Sequence, residues 1–439
     1  MKTLILGFTT EQIKSLKKRF EIKYIVSHSE MADENWNDVY NLRYEFSKKN
    51  FSRRNISSSD LDAMIKKYQK YVEMSSRQYV TIHPHNSEIY NAFIIQIYWI
   101  DYVINENKIE LIIFEDFPHE GFDYIVYEYA KLKKINIIMT NQSLFPNRFW
   151  ITNSINGFGK FLNEPNIEKK INIDFSIPKK WFYMTYEANQ PLVKTQYYSL
   201  FSAFKDLLKK PSYLPATLMR YYYNREYQKN VNLGLKKESS ISEVYIYVAL
   251  HLQPEMCVST LGGENLRYSD QLYVLETLRN IIPENIQIVC KDNPKQSNLY
   301  RDKNFYRRLY SIPNLILLDG GIDGQTLISK SLGVAILSGT TGWEAVNMGK
   351  PCLTFGFCWY NTAPGVLPYS ETNFNFDLWI NTKKTSRIDL QNWLNDLGCK
   401  MGVGIVDFDY IVLKEDYNEV ENAENIAESI KKYMVEKFL

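Results

Sequence analysis

Short apolar runs alternate along this chain with longer amphipathic stretches, and that alternation restricts the fold more than any other feature of the sequence. A strand covered on both faces reads as a continuous apolar run, and a helix with one apolar stripe returns the chain for the next parallel strand. In the first part, TLILGF (3–8), IKYIVS (22–27), IELIIFE (109–115) and INIIMT (135–140) are expected strands, with helices over 10–19, 60–75, 87–104 and 121–133. In the second, VYIYVAL (244–250), IQIVC (286–290), NLILLD (314–319), VAILS (334–338) and CLTFG (352–356) are separated by helix-length segments at 270–282, 301–310, 324–332 and 342–349. The pattern predicts an α/β protein with two doubly wound parallel sheets, whose strand ends would surround one cleft. A length of 439 residues agrees, being too much for one ordinary core. The expected boundaries are 1–185 for the first domain, 186–240 for a Tyr- and Lys-rich helical insertion or linker, 241–415 for the second domain and 416–439 for a final helix.

Charge names no partner. Lys and Arg total 52 against 50 Asp and Glu, so the basic footprint of a nucleic-acid binder is missing. The five cysteines stand singly, mostly inside apolar runs, as buried thiols of a reducing compartment do, which favours the cytoplasm. The first apolar stretch is too short for a secretory signal. The most apolar later one, 93–104, carries Gln96 and Asp101 and falls short of the roughly 20 residues of a membrane span.

The stretch SGTTGWEAVNMGKP (338–351) runs from the end of one expected strand into a short helix. Glycine allows close backbone approach, Ser and Thr supply hydroxyls, and the first N–H groups of the helix point into the turn, which suits an anion. The same residues also read as local punctuation, with Thr341 and Glu344 as a capping box and Gly349-Lys350-Pro351 as a helix stop. A P-loop is excluded, because its Gly-Lys precedes the helix and is followed by Ser or Thr. Other polar turns fall at the ends of consecutive strands: His251-Leu252-Gln253-Pro254-Glu255 followed by Gly262-Gly263, Lys291-Asp292-Asn293-Pro294, and Gly320-Gly321. That edge is where doubly wound sheets build their sites.

The run LHLQPE with its later Gly-Gly, then Tyr268-Ser269-Asp270-Gln271, a Lys-x-x-Pro, an Arg and Phe-Tyr before IPNL, and SGTTGWEA with GKP and FG resemble, in this order, the capsule polysaccharide biosynthesis proteins of the Kdo-transferase type. The resemblance covers about 244–365 and, more weakly, 109–150. It implies a GT-B-like fold of two Rossmann-like domains facing a central cleft, an N-terminal acceptor domain and a C-terminal donor domain. It also implies likeness to transferases that use CMP-activated acidic sugars, bacterial sialyltransferases included. In such proteins a Lys-Glu-His-Pro segment helps hold the nucleotide. Here Lys291, Asn293 and Pro294 stand at those positions, with Asn in place of His. The Ser/Thr-rich turn of the relatives binds donor phosphate or carboxylate, which maps onto Ser338, Gly339, Thr340 and Thr341. Glu344 would cap its helix or reach a ribose hydroxyl, and His251, Gln253 and Glu255 would line the cleft near the transferred sugar.

Glycosyl transfer needs a stabilised leaving phosphate and a base or nucleophile for the acceptor side. The densest titratable cluster in the first half is Phe114-Glu115-Asp116-Phe117-Pro118-His119-Glu120, at the end of an expected strand. Asp116 is the expected base or nucleophile, with His119 and Glu120 next; an exposed acidic turn at a helix start is the competing reading. His83-Pro84-His85 is poorly spaced for a metal, and the two D-x-D runs, Asp60-Leu61-Asp62 and Asp407-Phe408-Asp409, read as chance or capping, so no metal and no cofactor is expected. The final helix has acids early and lysines late; it would cross back to the first domain, and its basic face could touch anionic lipid of the inner membrane weakly. The expected activity is transfer of a CMP-linked acidic sugar to an oligosaccharide or lipid-linked glycan acceptor. A sugar-nucleotide epimerase and a non-catalytic glycan-binding or assembly protein are the alternatives.

Overall fold

The computed structural model describes residues 1–40, 56–79, 86–168, 173, 231–263, 266–293, 296, 301–318, 322–382, 385–414 and 416–439, with isolated positions between 222 and 229. Most of the expected insertion at 186–240 lies outside the described residues, as do His83, His85, Pro294 and Gly320-Gly321. The chain divides into two compact units, Met1–Phe175 with Gln391–Leu439, and Ser176–Leu390.

The first unit contains β1 (Lys2–Leu6), β2 (Glu21–Ser27), β3 (Glu34–Asn35), β4 (Leu111–Phe114), β5 (Asn136–Gln142) and β6 (Arg148–Thr152). The second contains β7 (Leu235–Lys236), β8 (Tyr245–Ala249), β9 (Gln287–Lys291), β10 (Leu315–Leu318), β11 (Gly333–Ile336), β12 (Cys352–Thr354) and β13 (Val366–Pro368), and β14 (Gly402–Val403) returns to the first. The sheet orders are β14-β6-β5-β4-β1-β2-β3 and β13-β12-β11-β8-β9-β10-β7. Both are doubly wound, the order reversing at β1 in the first sheet and at β8 in the second. The second sheet is parallel throughout, whereas β5, β6 and β14 pair antiparallel at one edge of the first.

All the expected strands form, and the reason is burial on two faces. In β8, Ile246 and Val248 join one core with Leu272, Leu275 and Leu309, while Tyr245 and Tyr247 face the opposite layer with Leu327, Ile328 and Ala345. Two helices, Ser58–Ile65 and Tyr68–Tyr79, replace the single one expected at 60–75. The helix Thr10–Lys17 begins in a capping box, the Thr9 N–H donating to Gln12 Oε1 at 2.8 Å.

The boundary expected near 415 falls instead at 390, because β14 pairs with β6, Gly402 opposite Phe149 and Val403 opposite Arg148. The final helix, Glu419–Phe438, packs Ile426, Ile430, Tyr433 and Met434 into the core of the first unit beside Ile13 and Leu16. Ion pairs fasten its outer edge: Glu424 meets Lys18 at 2.6 Å and Arg19 at 2.7 Å, and these partners hold its carboxyl down to about 2. Among the described residues no helix is long and apolar enough to cross a membrane.

Candidate functional site

Open α/β sheets bind ligands where the strand order reverses, beyond the carboxyl ends of the strands. In the second unit that point lies between β8 and β11, and the residues following them meet there. The Ser338 N–H donates to His251 Nε2 at 3.2 Å. Nε2 must then be unprotonated, so the ring carries its proton on Nδ1. Burial, aided by the Arg301 guanidinium, pushes the imidazole down to about 3, keeping it neutral at working pH. The main chain of His251 is held from both sides. Its N–H donates to Gln271 Oε1 at 2.7 Å, and its carbonyl accepts from Gln271 Nε2 at 3.1 Å and from Arg301 Nη2 at 2.6 Å.

Ser338 is buried and donates its hydroxyl to the Cys257 carbonyl at 2.6 Å. With both donors engaged it braces the turn. Gly339, Thr340 and Thr341 are half-buried. The helix Thr340–Asn347 starts from an extended Gly339 with no side-chain cap, and the Gly342 N–H donates to the Gly339 carbonyl at 3.4 Å. The expected capping box does not form. Starting at Thr340 puts Glu344 in the second turn, buried on the sheet side, where its charge adds to burial in raising the Tyr247 phenol. The helix stop is as expected, with Gly349 at φ +69. The two glycines of the turn are required by contact: a Cβ on Gly339 would lie 2.8 Å from His251 Nε2, and one on Gly342 would lie 2.4 Å from the Tyr360 hydroxyl.

Around this contact the other expected residues form a scaffold. Lys291 ends β9 half-buried and donates to the Ile322 carbonyl. The Asn293 N–H donates to Asp292 Oδ1 at 2.8 Å, and Asp292 pairs with Arg301. Gln253 is tied by its N–H to Gln296 and by its amide to Gln271 and the Ser269 carbonyl. Glu255 opens the turn Met256–Ser259 through its carbonyl, which accepts from the Ser259 N–H at 2.8 Å. The structure thus brings His251, Ser338 and Gly339 into direct contact, reaches Gln253 through Gln271, and reaches Asn293 through Asp292 and Arg301.

The first unit has the same arrangement at its own reversal, between β1 and β4. The Phe8 N–H donates to Glu115 Oε2 at 2.9 Å across the gap. Gly7 makes this possible: its φ is +86, and a Cβ there would lie 2.3 Å from Glu115 Oε2. Burial, with Asp116 and Asp407 adding repulsion, pushes the Glu115 carboxyl up to about 7. Asp116 receives the Phe117 N–H and Asn141 Nδ2 on Oδ1, each at 2.7 Å. Among the described residues no donor reaches its Oδ2. Burial raises its pKa against the pull of His119 and Asn141. Burial works to lower that of His119, but the carboxylates of Asp116, Asp123 and Glu120 prevail and raise it. His119 Nδ1 is 2.7 Å from the Phe117 carbonyl, so its Nδ1–H donates there. Glu120 accepts the Trp36 indole N–H at 2.9 Å.

Three participants escape a reading of the sequence. Glu115 sits beside the chosen acid and is distinguished only by its contact with Phe8. Asp123 is buried and accepts from the N–H groups of His119, Glu120 and Tyr124, fixing the loop. Asp407, from the distant end of the chain, lies close enough for its charge to act on Glu115 while capping Phe408–Leu413. The other D-x-D is also accounted for, Asp60 pairing with Lys133 at 2.6 Å. Among the described residues no group of three or more His, Cys, Asp or Glu side chains could hold a metal ion.

No curated protein sequence matches the chain. Among solved structures, the β-Kdo 2,7-transferase KpsC of Thermosulfurimonas dismutans is 10% identical, covering 97% of this chain and 99% of that one at a TM-score of 0.35. The UDP-GlcNAc 2-epimerase of Methanocaldococcus jannaschii is 13% identical, covering 91% and 98% at 0.28. At such scores neither assigns a role to any residue. The model of the family described as capsule polysaccharide biosynthesis protein matches residues 156–377, which is half of the chain and includes all of the β8–β11 site. The chain belongs to the capsule polysaccharide biosynthesis protein family.

Proposed function

We propose that this protein is a glycosyltransferase of capsule polysaccharide assembly that takes a sugar from a nucleotide donor, CMP-linked and acidic, and passes it to a glycan acceptor. The observation that carries the reading is the uncapped helix start at Gly339-Thr340-Thr341, set at the strand reversal and braced by a neutral histidine. Amides and two hydroxyls at such a point suit the charged linkage of a nucleotide sugar and stabilise the phosphate as it leaves. Family membership supplies the biological setting.

In this mechanism Asp116 takes the acceptor proton through Oδ2, or attacks as a carboxylate, while Asn141 and the Phe117 N–H hold Oδ1. His119 balances that charge. Lys291 adds positive potential on the donor side, so the reaction runs without metal or cofactor. The proposal includes a cytoplasmic location, with an oligosaccharide or lipid-linked acceptor and peripheral contact with the inner membrane.

A thermal-shift series with CMP, CDP, UDP and GDP tests the donor class, since a ligand that binds only the folded state raises its melting point. CMP alone should stabilise the wild type, and the double replacement of Thr340 and Thr341 by Val should abolish the shift while leaving the unliganded melt unchanged. An undiminished shift in that variant would remove the turn from nucleotide binding.

A further inference from the structure

Beneath the turn lies a buried charge with no part in the chemistry above. Arg301 is 1% exposed, just ahead of the helix Lys303–Ser311. Its guanidinium plane lies 4.6 Å from the centre of the Phe305 ring. One nitrogen, Nη2, donates to the His251 carbonyl at 2.6 Å, and the other, Nη1, pairs with Asp292. The second oxygen of Asp292 accepts the Tyr306 hydroxyl at 2.8 Å, so the carboxylate is also fixed. Arg301 therefore ties together the loop after β8 and the loop after β9, the two that carry His251 and the Lys291-Asp292-Asn293 run. A guanidinium can do this because its donors are fixed in one plane; an ammonium on a flexible stem would present the charge without the fork.

We infer that Arg301 is a positioning residue: by holding the His251 carbonyl and Asp292 together it sets the His251 ring so that Nε2 accepts the Ser338 N–H and fixes the shape of the 338–341 turn. The chain of contacts is continuous, from Asp292 to Arg301, from Arg301 to the His251 backbone, and from the His251 ring to Ser338. There is no slack at its far end, because Gly339 has room for hydrogen alone against the same Nε2. The positive charge beside the ring also favours the neutral imidazole that such an acceptor requires. Asp292 then serves as the half-buried partner of this arginine, although it belongs to a run whose Lys and Asn were expected to face the nucleotide. The inference rests on the transferase reading for its functional meaning, but its structural content concerns His251 alone.

The test is Arg301→Lys in the full-length protein, read by the nitrogen-15 shifts of the His251 ring and by CMP affinity. With Arg301 in place, Nε2 should show the signature of an unprotonated, hydrogen-bond-accepting nitrogen. In Arg301→Lys that signature should change, and CMP affinity should fall on the order of tenfold, the effect of losing one charge-assisted hydrogen bond. A folded variant with unchanged His251 shifts would overturn the inference. Should Arg301→Lys not fold, Asp292→Asn, which keeps the arginine and loosens its anchor, should give a smaller change of the same sign, and no change there would overturn it equally. Loss of folding in both variants would also overturn it, since the pair would then support the whole domain and not one ring. If the wild type binds no CMP, the transferase reading fails, while the ring shifts still decide the role of Arg301.

Discussion

Glu115 and Asp116 are neighbours in the chain, and burial raises the pKa of both. Glu115 has a folded pKa of about 7, above its ordinary value, so the folded state favours its protonated form. The stability this gives is fully present below the unfolded pKa near 4.5 and is lost as pH rises through 7. Glu115→Gln removes the dependence while keeping an oxygen for the Phe8 N–H. The variant should therefore be more stable than wild type at pH 8, by at most on the order of 3 kcal/mol, and the difference should vanish near pH 4. Urea unfolding at the two pH values checks both halves of the statement. Asp116→Asn should lower kcat by roughly 10²- to 10⁴-fold with the donor Kd unchanged, because only the acceptor-side oxygen is altered. Paired calorimetry and initial-rate measurements separate the two effects.

At the scale of elements, the two strand reversals are built by the same device and should fail in different ways. Gly7 combines a φ of +86 with a Cβ position 2.3 Å from Glu115, so Gly7→Ala should cost more than about 2 kcal/mol in chemical denaturation. Gly339 has an ordinary φ of −82, and its substituent would press on the His251 ring, 2.8 Å from Nε2 and 3.3 Å from Cδ2, with Ile336 Cδ1 in ordinary contact at 3.5 Å. Gly339→Ala should therefore keep its fold and lose nucleotide affinity. The central strands were legible in the sequence because both of their faces are covered, so LIIF and YIYVA read as unbroken apolar runs. The two-residue strands β3, β7 and β14 were not, being too short to carry a period. The start of the Thr340–Asn347 helix was misplaced because Thr and Glu at capping-box spacing outweighed an uncapped glycine. The strand-end turns could be found from order alone, but the contacts within them could not. Asp407 at the Glu115 site comes from a distant segment, and Arg301, although it precedes the Phe-Tyr of the resemblance, gives no sequence sign of its contact with His251; only the fold shows what they touch.

For the whole molecule, the chain's end belongs to its beginning. Ile426, Ile430 and Met434 fill the core of the first unit, and at roughly 1.5–3 kcal/mol for each buried side chain their loss approaches the 5–15 kcal/mol stability of an ordinary domain. Removing residues 419–439 should abolish one calorimetric transition and leave that of the second unit, which has its own core.

The central claim is that this chain moves a sugar from a nucleotide to a glycan. The most direct measurement is mass spectrometry of the wild type incubated with a CMP-linked acidic sugar and a capsule-type oligosaccharide. The account predicts an acceptor heavier by one sugar residue, an equal amount of released CMP, and both products lowered by roughly 10²- to 10⁴-fold with Asp116→Asn. An isomerised donor formed without acceptor, or a donor left intact beside an unmodified acceptor, would contradict it.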